Sequence, residues 1–419
     1  MAKIFVQIAA YRDPELPYTV EDLLAKAWDP KNVRIGICNQ TTPSGWNNPA
    51  LQNPCVAQIK VPYRAAKGTC WARSRVQELY EGEEFTLQLD SHHRFEAQWD
   101  RALIDMLEKT GSPKPLLTAY IPGYSGKGNR TSLGPPEPGK QVFQQFDRDG
   151  VVAFVGVGMA PDEQMRPPRA RFTSGHFIFA QGQFVEDVPY DPSLYFMGEE
   201  ITLAARAFTH GYDLFHPHRT YVYHAYVREG NRRHWDDHNK EKNNRLVPWQ
   251  SYQSETVKRV RTLLTEPESV ETRFGLGTVR TLRDYELYAG LNFKYRLAHQ
   301  NTIDGLEPPS TRCWNWEWSH LPGRELRARV ELDAEELGEF VPADFWYFGL
   351  HDANGLELTR IDLSDPEFLT RQRRAVDVHC WSRSEPATYT VIPFCREKGW
   401  GPRITRPLTT SNFQASFAS

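Results

Sequence analysis

The sequence predicts an α/β protein with a largely parallel sheet, followed by a small β-rich region. Three observations carry this. Short apolar runs alternate with helix-period segments through the first half of the chain. Acidic and histidine residues stand directly after such runs, where α/β sheets bind ligands. After about Pro322 the helix signals give way to closely spaced alternating strands.

The elements follow in order. Ile4–Ala9, Val33–Cys38, Val56–Val61 and Phe85–Leu89 read as strands. Between them, Thr19–Trp28, with Thr19 as N-cap, and Gly68–Tyr80 have helical periodicity, as does Phe95–Leu107 beyond. Pro113–Lys140 is rich in Gly, Pro and Ser and reads as loop apart from Leu116–Tyr120. Val151–Val157 and Phe177–Ala180 are strand-like and Met159–Arg171 is a loop. Gly198–His210 is helical and Tyr221–His224 is a short strand. Arg228–Arg245, dense in charge and histidine, reads as a mobile surface segment. Ser254–Leu264 and Thr281–Tyr288 look helical. The tail strands are Leu326–Leu332, Phe345–Leu350, Leu356–Leu363, Arg374–Cys380 and Tyr389–Phe394. The expected domains are residues 1–250 (catalytic), 251–321 (helical extension or linker) and 322–419 (β-rich). No internal repeat is visible.

Composition narrows the function. With 419 residues, 40% of them hydrophobic, the chain can bury a large core. A net charge of -3 and the lack of a basic run argue against a nucleic-acid partner. No stretch approaches the roughly 18 apolar residues of a membrane span, and the first apolar run is too short for a signal peptide. Six cysteines, at 38, 55, 70, 313, 380 and 395, form no CxxC pair; a reduced, cytoplasmic setting is the simplest account. Cys38 and Cys55 are expected in buried strands.

The chemistry centres on Thr86-Leu87-Gln88-Leu89-Asp90-Ser91-His92. Asp90 and His92 stand two apart at a strand exit, so both can face one point. A carboxylate oxygen with an imidazole nitrogen suits Mn²⁺ or a similar divalent cation, which can neutralise a departing diphosphate. The spacing is equally that of a helix-capping Asp beside a surface His. His224, in Tyr223-His224-Ala225-Tyr226, offers a third ligand, or is a satisfied core histidine. Arg73 offers a planar fork suited to a diphosphate, or an exposed helix position paired with Glu78, and Arg75 reads as structural. Tyr11 and Arg12 follow the first strand, where a base can stack, or pack at the domain edge. Glu199 and Glu200 complement a helix N-terminus. Arg228, Arg232, Arg233, His234 and Trp235 form a basic loop that can close over phosphates or remain solvated.

The DSHxxF segment (Asp90 to Phe95), the YHxY segment (Tyr223 to Tyr226) and Ala10-Tyr11-Arg12-Asp13 resemble the polypeptide α-N-acetylglucosaminyltransferases. Founding members of that family modify a hydroxyproline of a cytoplasmic ubiquitin-ligase adaptor; related sequences act on mucin-type proteins. The resemblance runs from Lys3 to about Phe293 and includes Gly68-Thr69-Cys70-Trp71-Ala72-Arg73-Ser74, Gly198-Glu199-Glu200 and Gly275-Leu276-Gly277-Thr278. The polypeptide N-acetylgalactosaminyltransferases are more distantly similar. The resemblance implies a GT-A catalytic domain (Rossmann-like, mostly parallel sheet) ahead of the β-rich C-terminal domain. It implies a retaining transferase using Mn²⁺ and a UDP-sugar, with UDP-GlcNAc as donor and a protein hydroxyl (Ser/Thr or hydroxyproline) as acceptor. Asp90, His92 and His224 would then hold the metal. Tyr11, Arg12, Arg73, Ser91, His176 and Arg228 would bind the donor. Arg73 and Glu199 would be catalytic, with Glu199 favoured over Glu200.

Other readings of the same residues are a transferase for a saccharide or small-molecule acceptor, a hydrolase using Asp90 and Glu199 as a carboxylate pair, and a sugar-binding protein on a transferase scaffold. Oligomeric state is not legible.

Overall fold

The computed structural model describes residues 3–147, 149–227, 231–238, 247–270, 272–309, 324–333, 343, 345–355, 357–363, 373–382, 385–395 and 399–417. The chain divides into two compact units, Met1–Lys294 with Ala298–Thr311, and Tyr295–Leu297 with Arg312–Ser419.

The first unit contains strands β1 Ile4–Tyr11, β2 Val33–Thr41, β3 Val56–Pro62, β4 Phe85–Asp90, β5 His93–Phe95, β6 Pro115–Thr118, β7 Tyr124–Lys127, β8 Arg130–Leu133, β9 Gly139–Phe146, β10 Val152–Gly158, β11 Phe177–Gln181, β12 Asp213–Phe215 and β13 Val222–His224. Seven of them form the central sheet in the order β12-β6-β11-β4-β1-β2-β3. The pairs β1–β2, β1–β4, β2–β3 and β6–β12 are parallel. β11 runs antiparallel to both its neighbours.

Alternation along the central strands assigns the two faces of the sheet. Ile4, Val6 and Ile8 of β1 and Phe85, Leu87 and Leu89 of β4 enter a core shared with the helices Leu16–Lys26 and Trp99–Glu108. Trp99 is fully buried there and its indole N–H donates to the Leu23 carbonyl at 2.9 Å. Burial of each large side chain in this core contributes roughly 1.5–3 kcal/mol. The intervening residues Thr86, Gln88 and Asp90 face the other side, where Phe5 and Cys38 pack with Ala72 and Val76 of the helix Thr69–Gln77. The alternation TLQLD thus aims Asp90 at the helix that carries Arg73.

Several boundaries differ from the sequence reading. Thr19 is not an N-cap. The first helix starts at Leu16, with Pro at its start, and the buried Thr19 hydroxyl donates to the Ser91 carbonyl at 2.9 Å. Phe95 ends β5, and the next helix starts at Trp99 after Gln98, whose φ is 63°. The Gly- and Pro-rich stretch expected as loop forms the hairpin β7–β8, and β9 pairs with β10. Cys55 lies just before β3 and is partly buried.

The second unit has a three-stranded sheet containing Arg324–Asp333, Arg373–Ser382 and Phe413–Phe417. A five-stranded sheet is built around Phe345–His351, Glu357–Leu363 and Thr388–Cys395. Trp346, Phe348, Leu350, Val376, Val378 and Val391 form the core of this unit. The β-rich tail is therefore present. Among the described residues no helix is long and apolar enough to cross a membrane.

Candidate active site

β1 and β4 are neighbours, with Ala9 opposite Asp90, so the exits of both strands open into one crevice. β1 ends on Tyr11 and is followed by Arg12 and Asp13; the chain after β4 carries Ser91 and His92. β13 then pairs antiparallel with β5, setting His224 opposite His93, next to His92. The Ala225 N–H donates to the His92 carbonyl at 3.1 Å, and the His224 N–H to the Pro122 carbonyl at 3.0 Å. This short ribbon brings a residue 134 positions away to Asp90.

The result is an acid-histidine triad. One ligand atom each from Asp90, His92 and His224 lies within 4.8 Å of the others. His224 Nε2 is 3.4 Å and His92 Nε2 is 3.6 Å from Asp90 Oδ2. One carboxylate and two imidazoles on rigid strand ends are a donor set that can hold a divalent cation. Burial pushes the Asp90 carboxyl up, but the hydrogen bond to His224 and the Arg73 charge outweigh it and hold it well below the usual carboxylate range. Burial among the other histidines holds His93 and His176 well below the usual histidine value, so both are neutral.

Arg73 is buried, not exposed. Its Nη2 donates to Asp90 Oδ1 at 2.8 Å and its Nε lies 3.4 Å from Glu199 Oε1. Arg75 is the exposed one and pairs with Glu78. Glu199 opens the helix Glu199–Thr209 and accepts from the Tyr190 hydroxyl at 2.7 Å. Glu200 accepts from the Tyr120 hydroxyl and from the Gly175 N–H, each at 2.7 Å, and burial raises its carboxyl to about 7. Two glycines let these helices begin so close to the site. Gly68 has φ 116°, and a Cβ there would lie 2.5 Å from Tyr195 Cδ2. Gly198 has φ 93°, and its Cβ would lie 2.5 Å from Val260 Cγ2.

A cavity of about 600 Å³ joins these groups, lined among others by Tyr11, Arg73, Asp90, Ser91, His92, His176, Glu199, Glu200 and His224. His176 stacks on His224 with ring centroids 4.3 Å apart, and its Nε2 is 3.3 Å from the Tyr226 hydroxyl. Ser91 lines the cavity, while its hydroxyl donates to Asp13 Oδ2 at 2.9 Å. Arg12 is turned elsewhere. Its Nη1 donates to Asp237 at 2.7 Å and its guanidinium lies 4.3 Å from the Tyr63 ring centroid.

The segment expected as a mobile surface loop is, where described, packed down. His234 and His238 are buried, and His234 Nδ1 lies 2.9 Å from the Tyr195 hydroxyl. Burial brings His234 down to about 4. Asp237 accepts from the Tyr11 hydroxyl at 2.9 Å as well as from Arg12. Arg232, Arg233, His234 and Trp235 line the cavity. Arg228 lies outside the described residues. The sequence reading missed Asp13, Tyr120, Tyr190, Tyr226 and Asp237 as members of the site. Asp13 and Tyr226 carried a local signal, standing in Ala10-Tyr11-Arg12-Asp13 and in the YHxY segment; the others did not.

The structure of GalNAc-T7 with UDP, GalNAc and Mn²⁺ matches 99% of this chain and 82% of its own at 13% identity, with a TM-score of 0.52. The structure of S. aureus TarS 1–349 in complex with UDP-GlcNAc matches 55% of this chain and 60% of its own at 12% identity, with a TM-score of 0.35. No curated protein sequence matches. The fold is that of a GT-A protein. The family profile described as Glycosyltransferase (GlcNAc) matches residues 3–49 and 42–295, and the chain belongs to that glycosyltransferase family.

Proposed function

We propose that the protein is a retaining, Mn²⁺-dependent transferase that moves N-acetylglucosamine from UDP-GlcNAc to a hydroxyl of a protein acceptor. A serine, threonine or hydroxyproline is the acceptor residue. The observation that carries this reading is the convergence of Asp90, His92 and His224 beside Arg73 at the carboxyl ends of β1 and β4. The family's description supports the GlcNAc donor. The likeness of DSHxxF and YHxY to the hydroxyproline-modifying type supports the acceptor. A GT-A structure holding UDP, GalNAc and Mn²⁺ supports the nucleotide-sugar reading.

In this reading Asp90, His92 and His224 hold the cation. When bound, it supplies positive charge against the diphosphate. Arg73 adds a fixed cation on the same side, preorganised by Asp90 and Glu199. Tyr11 offers its ring to the base, and Ser91 and His176 line the donor's path. Glu199 and Glu200 border the sugar and acceptor side, where Glu200, near 7, can accept a hydrogen bond from a hydroxyl. Arg232, Arg233 and Trp235 line the cavity, where the two arginines can meet phosphate charge. In the retaining path the leaving phosphate takes the acceptor proton on the face it departs. The grouping of Asp90 with His92 and His224 disfavours a hydrolase, whose carboxylate pair needs no cation site. Cys38, Cys55 and Cys70 are free thiols, which supports a cytoplasmic setting.

A panel of UDP-sugars, each assayed for UDP release with Mn²⁺ and with EDTA, tests the proposal. It expects UDP-GlcNAc to be consumed fastest and EDTA to stop the reaction. Metal-independent release, or preference for another sugar, contradicts it.

A further inference from the structure

We propose that Asp13 is the positioning residue for His92, holding its imidazole in the tautomer that turns a bare Nε2 toward Asp90. The inference rests on the reading of Asp90, His92 and His224 as a metal site.

Asp13 follows β1 directly, after Arg12 in a left-handed conformation at φ 47°. Its side chain is 1% exposed. Oδ1 accepts the Glu15 N–H at 3.0 Å. Oδ2 accepts the Ser91 hydroxyl at 2.9 Å and lies 2.7 Å from His92 Nδ1. A carboxylate only accepts, so a contact of 2.7 Å places a proton on Nδ1. Nε2, the atom 3.6 Å from Asp90 Oδ2, is then the nitrogen left to offer its lone pair to a cation. The opposite tautomer sets an Nδ1 lone pair against the carboxylate and a proton where a cation belongs.

The arrangement also fixes the ring plane. The Glu15 N–H and the Ser91 hydroxyl hold both oxygens, so the carboxylate cannot swing away. An imidazole held this way is more basic toward a cation and has little rotational freedom left to lose. Two strand exits, 79 residues apart in sequence, thereby complete one site.

The test uses the full chain. Long-range ¹H–¹⁵N NMR of the metal-free protein reads the His92 tautomer, and electron paramagnetic resonance of free Mn²⁺ reads affinity. The wild type is expected to carry the His92 proton on Nδ1. Asp13→Ala is expected to bind Mn²⁺ about 10- to 100-fold more weakly. Asp13→Asn keeps an accepting oxygen and is expected to recover most of that loss. A purely structural Asp13 would change the melting temperature of both variants without changing the Mn²⁺ affinity of the folded protein. A wild-type proton on Nε2, or unchanged Mn²⁺ affinity in folded Asp13→Ala, overturns the proposal. Should the wild type bind no Mn²⁺, the metal reading fails, and the tautomer measurement alone still decides the Asp13–His92 pairing.

Discussion

Arg73 and Asp90 form an ion pair at the end of the central sheet, Nη2 to Oδ1 at 2.8 Å, with the arginine side chain 4% and the aspartate 28% exposed. The pair joins the Thr69–Gln77 helix to β4 and reaches on to Glu199. Arg73→Ala leaves two carboxylates facing each other without their cation. The expected cost is about 3–5 kcal/mol of stability, read from urea denaturation. Arg73→Lys keeps the charge but cannot serve both acids in one plane. Its expected signature is a smaller stability loss with turnover down by about 100-fold or more. Wild-type turnover in Arg73→Lys would remove Arg73 from the proposed chemistry.

Glu200 gives a pH signature. Burial raises its carboxyl to about 7, from the ordinary 4.5, despite the hydrogen bonds from Gly175 and Tyr120. Between those two values the unfolded chain has lost a proton that the folded chain keeps. Stability therefore falls as pH rises from 4.5 to 7, by at most about 3 kcal/mol. Glu200→Gln has no proton to lose. The stability difference between variant and wild type is expected to widen in the variant's favour across that window. A difference that stays flat with pH contradicts the assignment.

Asp237 ties the 231–238 segment to β1 through Tyr11 and Arg12. Asp237→Ala releases both. The donor KM is expected to rise by about tenfold, with kcat changing too, because such covering segments act on binding and turnover together. An unchanged KM would mean that the tie is structural only.

Gly198 starts the helix bearing both glutamates. Gly198→Ala introduces a Cβ 2.5 Å from Val260 Cγ2 at φ 93°. A destabilisation of about 1–3 kcal/mol is expected, with a lower melting temperature. An unaltered melting point would show that the backbone relaxes there without cost.

Much of this site was legible because its ligands follow short apolar strands. Phe85, Leu87 and Leu89 mark one face of β4, so Asp90 had to lie on the other. His224 was legible as a strand-end histidine, but its partner strand His93–Phe95 was not. Three residues carry too little periodicity to stand out from the helix that follows. The hairpins after Ile121 were hidden by Gly and Pro, which read as turns whether or not strands flank them. In sequence Arg73 fits either a donor-site fork or an exposed helix position, because Glu78 is within reach. Only tertiary packing assigns Glu78 to Arg75 and buries Arg73. The charged 231–238 segment read as solvated because its partners, Tyr11, Arg12, Ala66 and Tyr195, are remote in sequence.

The central claim is that Asp90, His92 and His224 form a metal site on which sugar transfer depends. The most direct test compares Mn²⁺-dependent turnover of UDP-GlcNAc by the wild type and by Asp90→Ala, with circular dichroism of both. The account predicts Mn²⁺-dependent turnover in the wild type, lost in a folded Asp90→Ala. Wild-type turnover in Asp90→Ala, or equal rates for the wild type in Mn²⁺ and in EDTA, would contradict it.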